Sequence, residues 1–196
     1  MLAPERFADH GKPKYMQFAA LYIVVASAQK LFILDQHAAH ERILFEKLKR
    51  EFENQRIGAK STKLSRPRIL SLTNAEMVLL EEYRHVLAAL GFTVRGETIT
   101  HVPNLLKDRE PQDIIMEILE KLEETGTAPS VDSISEEMLA FLACRAAVKA
   151  GDPLTDEQMA QIATDLETTP NNTTCPHGRP TRISMTIDEL NMQFHR

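Results

Sequence analysis

The sequence predicts a mixed α/β (α+β) protein in two subdomains, and three observations carry that expectation. Strand-like apolar runs, Gln17 to Ser27 and Leu31 to Leu34, are followed at once by a segment of helical periodicity. An acidic middle has its own strand, helix, hairpin and helix with their own apolar faces. The two flanks, residues 1–63 and 134–196, are then left to pack together around a separate core, with 64–133 inserted between them.

In order, residues 1–16 read as an entry linker with Pro4, Gly11 and Pro13. Ala28-Gln29-Lys30 separates the first two strand runs, which suits a hairpin. A helix is expected over 37–56, because Leu44, Phe45, Leu48 and Phe52 recur on one face. Gly58 to Arg68 is basic and irregular, with Pro67 against a helix, and Ile69 to Leu72 suits a short strand. Thr73 or Asn74 caps a helix running to Leu90, stopped by Gly91. Gly96-Glu97 sits between Phe92–Arg95 and Thr98–Val102 as a hairpin turn. Pro111 opens a helix with Ile114, Ile115, Ile118, Leu119 and Leu122 at helical spacing. Gly126 to Ser133 reads as a linker. Helices are expected from Ser135 to about Lys149 and from Asp156 to Glu167. A polar loop (168–180), a strand at Arg182 to Met185 and a helix from Ile187 to Phe194 close the chain.

Composition narrows the function classes. With 43% hydrophobic and 26% charged residues, the 196-residue chain is of ordinary globular type. Its longest apolar run, Phe18 to Ala28, spans eleven residues, about half of what crosses a bilayer. No charged and apolar leader opens it, so no membrane partner is expected and a cytoplasmic setting is. Residues 1–70 hold 13 Lys/Arg against 7 Asp/Glu, whereas 71–196 hold 10 against 21. The acidic whole argues against a dedicated high-affinity DNA grip, while the basic first segment permits local phosphate contact.

The chemistry-bearing residues fall in three places. Asp35, His37 and Glu41 stand at a strand-to-helix corner, and the last two lie four apart, on one helical face. Cys175-Pro-His-Gly-Arg-Pro180 places a thiol and an imidazole two residues apart in a bent loop. Cys144 lies in an apolar helix, where an inert core thiol is the alternative reading. Together His37, Glu41, Cys144, Cys175 and His177 offer five ligands of the types zinc takes, and Asp35 a sixth. That exceeds one tetrahedral ion and allows two metals bridged by Glu41, an arrangement suited to phosphoester hydrolysis. Glu46 is nine residues from His37, about 180° around the helix, so a salt bridge or a helix-face role is expected of it instead. His40 faces another side, toward solvent or behind the ligands. The zinc-peptidase pattern His-Glu-x-x-His is missing, and the two cysteines are too far apart in sequence for a redox Cys-x-x-Cys pair.

These motifs resemble one family. Asp35-Gln-His-Ala38 with Glu41 and Glu46 reproduces the Asp-Gln-His-Ala-(x)2-Glu-(x)4-Glu signature of the C-terminal domain of the mismatch-repair protein MutL. Ala143-Cys-Arg145, Cys175-Pro-His-Gly-Arg-Pro180 and Phe194-His-Arg196 match its other motifs, in order. The resemblance implies a latent, metal-dependent endonuclease that nicks one DNA strand. It implies a homodimer, a dimerisation subdomain from both chain ends, an inserted regulatory subdomain and a bacterial cytoplasmic setting. By the same resemblance His37, Glu41, Cys144, Cys175 and His177 are zinc ligands, and Asp35 and Glu41 serve cleavage. Zinc is then regulatory or structural, and manganese or magnesium activating. Arg179 stands beside this site, where phosphate contact and packing are both open to it. Further implied partners are DNA, bound weakly by this domain alone, an N-terminal ATPase region and a sliding clamp. The nearest clamp motif is Thr62-Lys-Leu-Ser-Arg-Pro67, in which Leu64 and Pro67 fit but the usual Gln is replaced. The rival of a different class is a non-catalytic dimerisation module with a purely structural zinc.

Overall fold

A computed structural model describes residue 7 and residues 13–55, 60–125 and 136–196. The expected linker at 126–133, most of the entry segment and residues 58–59 of the basic stretch lie outside these. The fold is α+β, as the sequence predicts. It divides into two compact units, residues 1–46 with 147–196, and residues 47–146.

The first unit is built on an antiparallel sheet of β1 (Lys14–Phe18), β2 (Tyr22–Ala26), β3 (Lys30–Asp35) and β7 (Arg182–Thr186), in that order. Alternation sends Ile23, Val25, Phe32 and Leu34 to the inner face, where they pack with Ala39 of α1 (Gln36–Gln55). Met159, Ile162, Ala163 and Leu166 of α6 (Asp156–Thr168) complete that core. The Phe7 and Phe32 rings meet edge-on at 4.8 Å, worth about 1 kcal/mol beyond area burial. A helix α7 (Ile187–Gln193) follows β7, capped by Thr186 and Glu189 in a capping box.

The run 17–27, expected as one strand, contains a turn. Ala19 and Ala20 both have positive φ, 53° and 52°, and Leu21 N–H donates to Phe18 C=O at 3.1 Å. Two successive positive φ values are those of a type I′ turn over residues 18–21, and the Phe18–Tyr22 pairing leaves residues 19–21 as a three-residue loop. Alanine carries no turn signal and is strained there. Tertiary bonds hold the turn: Gly151 N–H donates to Ala20 C=O at 2.8 Å, and Gln36 N–H to Leu21 C=O at 3.0 Å.

In the second unit β4 (Ser61–Ile69), β6 (Thr98–Pro103) and β5 (Thr93–Arg95) form an antiparallel sheet in the order β4-β6-β5. The basic segment expected to be irregular is therefore largely strand. Its register shifts between Lys63 and Arg68, so Leu64 to Pro67 bulge out opposite Thr100. A proline without an N–H is tolerated on an edge strand at a bulge. The helix expected over 74–90 is two helices, α2 (Asn74–Glu82) and α3 (Arg84–Ala89), parted at Tyr83. Tyr83 turns inward, and its hydroxyl donates to Leu122 C=O at 3.4 Å. A 3₁₀ turn (Asn104–Leu106) leads on to α4 (Pro111–Thr125), whose Ile114, Ile115, Ile118, Leu119 and Leu122 are all buried. The α5 helix (Glu136–Ala146) ends three residues short of the expected Lys149. The backbone groups of Val148 and Lys149 are bonded instead by side chains of early α1.

No described helix is long and apolar enough to cross a membrane.

Candidate metal centre

Two local structures of the first unit make the site. The first is the junction of β3 and α1. Asp35 ends the strand, its N–H donating to Thr181 C=O at 3.0 Å, and its Oδ1 accepts from Ala38 N–H at 2.8 Å. That carboxylate thus satisfies one of the orphan donors of the first helical turn. Glu41 comes up one turn later and is wholly buried.

The second is the loop of the Cys-Pro-His-Gly-Arg motif. Gly178 N–H donates to Cys175 C=O at 2.9 Å, and Cys175 N–H to Arg179 C=O at 2.8 Å. Thr174 and Pro180 form the bridge below. This is a three-residue hairpin loop, with Pro176 at the position that favours its fixed φ and Gly178 in the left-handed region at φ 82°. Proline and glycine shape the turn, and Cys175 and His177 carry its chemistry.

The loop is tied to the helix by Arg42 and Glu46. Arg42 Nε donates to Thr174 C=O at 2.7 Å, and its Nη1 lies 2.9 Å from Glu46 Oε1. Asn171 Nδ2 reaches the same oxygen at 3.5 Å. Glu46 therefore makes the ion pair expected of it, one turn from Arg42. In doing so it fixes the arginine that holds the loop.

The result is a group of ligand type. One atom each from Glu41, Cys175 and His177 lies within 4.8 Å of the others. His177 Nδ1 is 2.6 Å from Glu41 Oε1, and Arg179 Nη2 is 3.6 Å from Oε2. Neither oxygen of Glu41 makes a hydrogen bond; the imidazole contact is close but not aligned as one. A buried carboxylate left without donors is costly, and a cation shared with the thiolate and imidazole would relieve it. The donor set of S, N and O is one that zinc accepts. Arg179 is held more firmly protonated than an ordinary arginine, chiefly by its hydrogen bond to Cys175, then by the charges of Cys175, Glu41 and Asp35.

His37 is half-buried, with Nδ1 2.8 Å from Val148 C=O. Asp35 caps the helix and lies within electrostatic range of Arg179. Neither belongs to the 4.8 Å group. Cys144 lies on α5 of the second unit, also half-buried. His40, expected toward solvent or behind the ligands, accepts from Val148 N–H through Nδ1 at 3.1 Å. Sequence reasoning missed the tie of Arg42 to the loop, although its spacing from Glu46 was a local signal. It also missed Gln17 and Gln36, whose bonds reach across more than a hundred residues and leave no local pattern.

Residues 15–154 match the family model described as the MutL C-terminal dimerisation domain. The chain belongs to that family. It is 37% identical over 185 residues to the DNA mismatch repair protein MutL of Clostridium botulinum (strain Langeland), covering 92% of this chain and 27% of that protein. The protein of the same name from Caldanaerobacter subterraneus subsp. tengcongensis is 36% identical over 180 residues, covering 89% and 30%. That of Trichlorobacter lovleyi is 34% identical over 185 residues, covering 92% and 31%. The chain thus spans less than a third of the length of these relatives.

Proposed function

We propose that this chain acts in DNA mismatch repair as the C-terminal domain of a MutL protein, serving as a homodimerisation module and a metal-dependent endonuclease that nicks one DNA strand. The observation that carries the catalytic reading is the buried, donor-starved carboxylate of Glu41 facing Cys175 and His177. Those three residues would hold one ion, with His37 and Asp35 of the same unit as further ligands of a second or shared ion. Zinc suits the thiolate-containing set, and manganese or magnesium the carboxylates. When bound, such ions supply Lewis acidity at a phosphate oxygen and a more acidic water. Arg179, exposed at the rim and firmly cationic, draws a phosphodiester to the site. Asp35, fixed by its cap to Ala38, serves cleavage from the same corner.

The outward face of the first unit's sheet supports the dimer. Met16, Val24, Ile33 and Ile183 form one row across all four strands, and Leu31 pairs with Met185 in the next. Ile183, 61% exposed, and Met185 are exposed on one edge strand, and Met16 and Phe18 on the other. An apolar row of this extent, in a domain family described by dimerisation, fits a second copy of the chain.

The flanks 1–63 and 134–196 are then the dimerisation and metal-site subdomain, and 64–133 the regulatory one. Leu64 and Pro67 lie on the bulged edge strand β4, with Lys63, Arg66 and Arg68 exposed around them. An open strand edge of this kind suits a weak sliding-clamp contact. DNA, the N-terminal ATPase region and a cytoplasmic setting complete the reading. The test is nicking of supercoiled plasmid in manganese, with and without clamp. Weak nicking by the wild type, raised by the clamp and abolished in Asp35→Asn, is the expected result. Equal nicking by both proteins removes the role of Asp35.

A further inference from the structure

Around the start of α1 is a hydrogen-bond network that the ligand group does not use. Gln36 is fully buried. Its Nε2 donates to Lys149 C=O at 2.7 Å and to Asp152 C=O at 3.3 Å. Those carbonyls can only accept, so the Gln36 amide has one orientation, with Oε1 left to accept from Gln17 Nε2 at 2.7 Å. Gln17 Nε2 also donates to Asp152 C=O at 2.8 Å, and its Oε1 accepts from Leu154 N–H at 3.2 Å. The two glutamines thus fasten segment 149–154 to β1 and to the first turn of α1.

Val148 immediately precedes that segment, and its two backbone groups meet two imidazoles. Its carbonyl lies 2.8 Å from His37 Nδ1, and its N–H points to His40 Nδ1 at 3.1 Å. A carbonyl oxygen only accepts, so His37 carries its proton on Nδ1 and, in the neutral ring, a lone pair on Nε2. A peptide N–H only donates, so His40 presents its lone pair at Nδ1 and carries its proton on Nε2. One residue's backbone therefore prescribes opposite tautomers to two histidines three positions apart.

We propose that Gln17 and Gln36 are positioning residues that hold Val148 so that it fixes His37 as a ligand through Nε2 and His40 as a donor through Nε2–H. The ligand part rests on the reading of His37 as a metal ligand; the tautomer part does not. The device decides which histidine of His37-Ala-Ala-His40 can take a cation. A ligand imidazole held in one tautomer by a backbone carbonyl binds its metal without a prior proton shift.

The test is long-range 1H–15N correlation of the ring nitrogens in the metal-free chain, at mildly alkaline pH, with assignment by His37→Gln and His40→Gln. The expected pattern is a protonated Nδ1 for His37 and a protonated Nε2 for His40. In Gln17→Ala, with helix content retained by circular dichroism, both rings drift toward mixed tautomers and zinc affinity falls about 10- to 100-fold. The wild-type pattern needs no variant to fold, and finding the same tautomer in both rings overturns the proposal. So does an unchanged pattern in folded Gln17→Ala, or a zinc-induced shift at His40 Nε2. Zinc that moves neither ring, with both tautomers as expected, leaves the lock standing and removes His37 from the ligand set.

Discussion

His177 Nδ1 lies 2.6 Å from Glu41 Oε1, yet neither oxygen of that fully buried carboxylate is hydrogen-bonded. With no hydrogen bond and Arg179 Nη2 at 3.6 Å as its cationic partner, the carboxylate is costly to bury, and a bound metal ion would turn it into a stabilising ligand. Glu41→Gln should therefore raise the melting temperature of the metal-free protein by a few degrees and abolish the further rise that zinc gives the wild type. Thermal unfolding with and without zinc checks both. A metal-free variant less stable than the wild type contradicts the reading.

The tie between loop and helix is separable from the ligands. Arg42→Ala leaves the Thr174 carbonyl without its 2.7 Å donor and Glu46 without its cation, a loss of about 1–3 kcal/mol. Denaturant unfolding measures that loss. Zinc affinity should fall with it, because Cys175 follows Thr174 directly. Glu46→Gln keeps an oxygen acceptor for Arg42 and should cost less than Arg42→Ala on both measurements.

Gly178 is the position where backbone conformation alone decides. A Cβ there would meet nothing within 4 Å, so the only penalty is the positive φ of 82°. Gly178→Ala should cost about 1–2 kcal/mol, and Gly178→Asn less, since Asn tolerates that region better. Chemical denaturation of the pair against wild type is the check. Equal losses would mean that the space around residue 178, and not its φ, sets the effect.

Much of this fold is legible in local sequence. The cap at Thr73, the stop at Gly91, the hairpin at Gly96-Glu97 and the start at Pro111 all appear where single residues announce them. What escapes is what tertiary contact imposes. Ala19 and Ala20 turn because Gly151 and Gln36 bind the turn, and β4 forms through Pro67 because a bulge absorbs it. The ligand types Glu41, Cys175 and His177 are readable from chemistry and spacing. The network of Gln17, Gln36 and Val148 is not, since backbone groups look alike in every sequence.

The capping boxes give the molecule an acid response. Backbone and side-chain hydrogen bonds from Thr186 hold Glu189 below the ordinary value of 4.5, and those from Thr73 do the same for Glu76. Because the folded-state values are depressed, this stabilisation is fully present above 4.5 and is lost as pH falls through the lowered values. Fraying of α7 and of the first turn of α2 should therefore set in below pH 4.5. Amide exchange at Glu189 and Glu76 across that range measures it, and Thr186→Ala should abolish the pH dependence at Glu189 only.

The outward sheet face makes its own demand. Ile183→Asp places a charge at the β7 end of the Met16–Val24–Ile33–Ile183 row, on a side chain that is mostly exposed. Light scattering after size exclusion should show the wild type as a dimer and the variant as a folded monomer. A variant that stays dimeric would place the interface elsewhere.

Whether Glu41, Cys175 and His177 hold a metal ion together decides how the site works. Elemental analysis of wild type, Cys175→Ala and His177→Ala after exhaustive dialysis tests it most directly. The expected result is zinc near one equivalent or more per wild-type chain, and a loss of at least one equivalent in each variant. Variants that retain as much zinc as the wild type would contradict it.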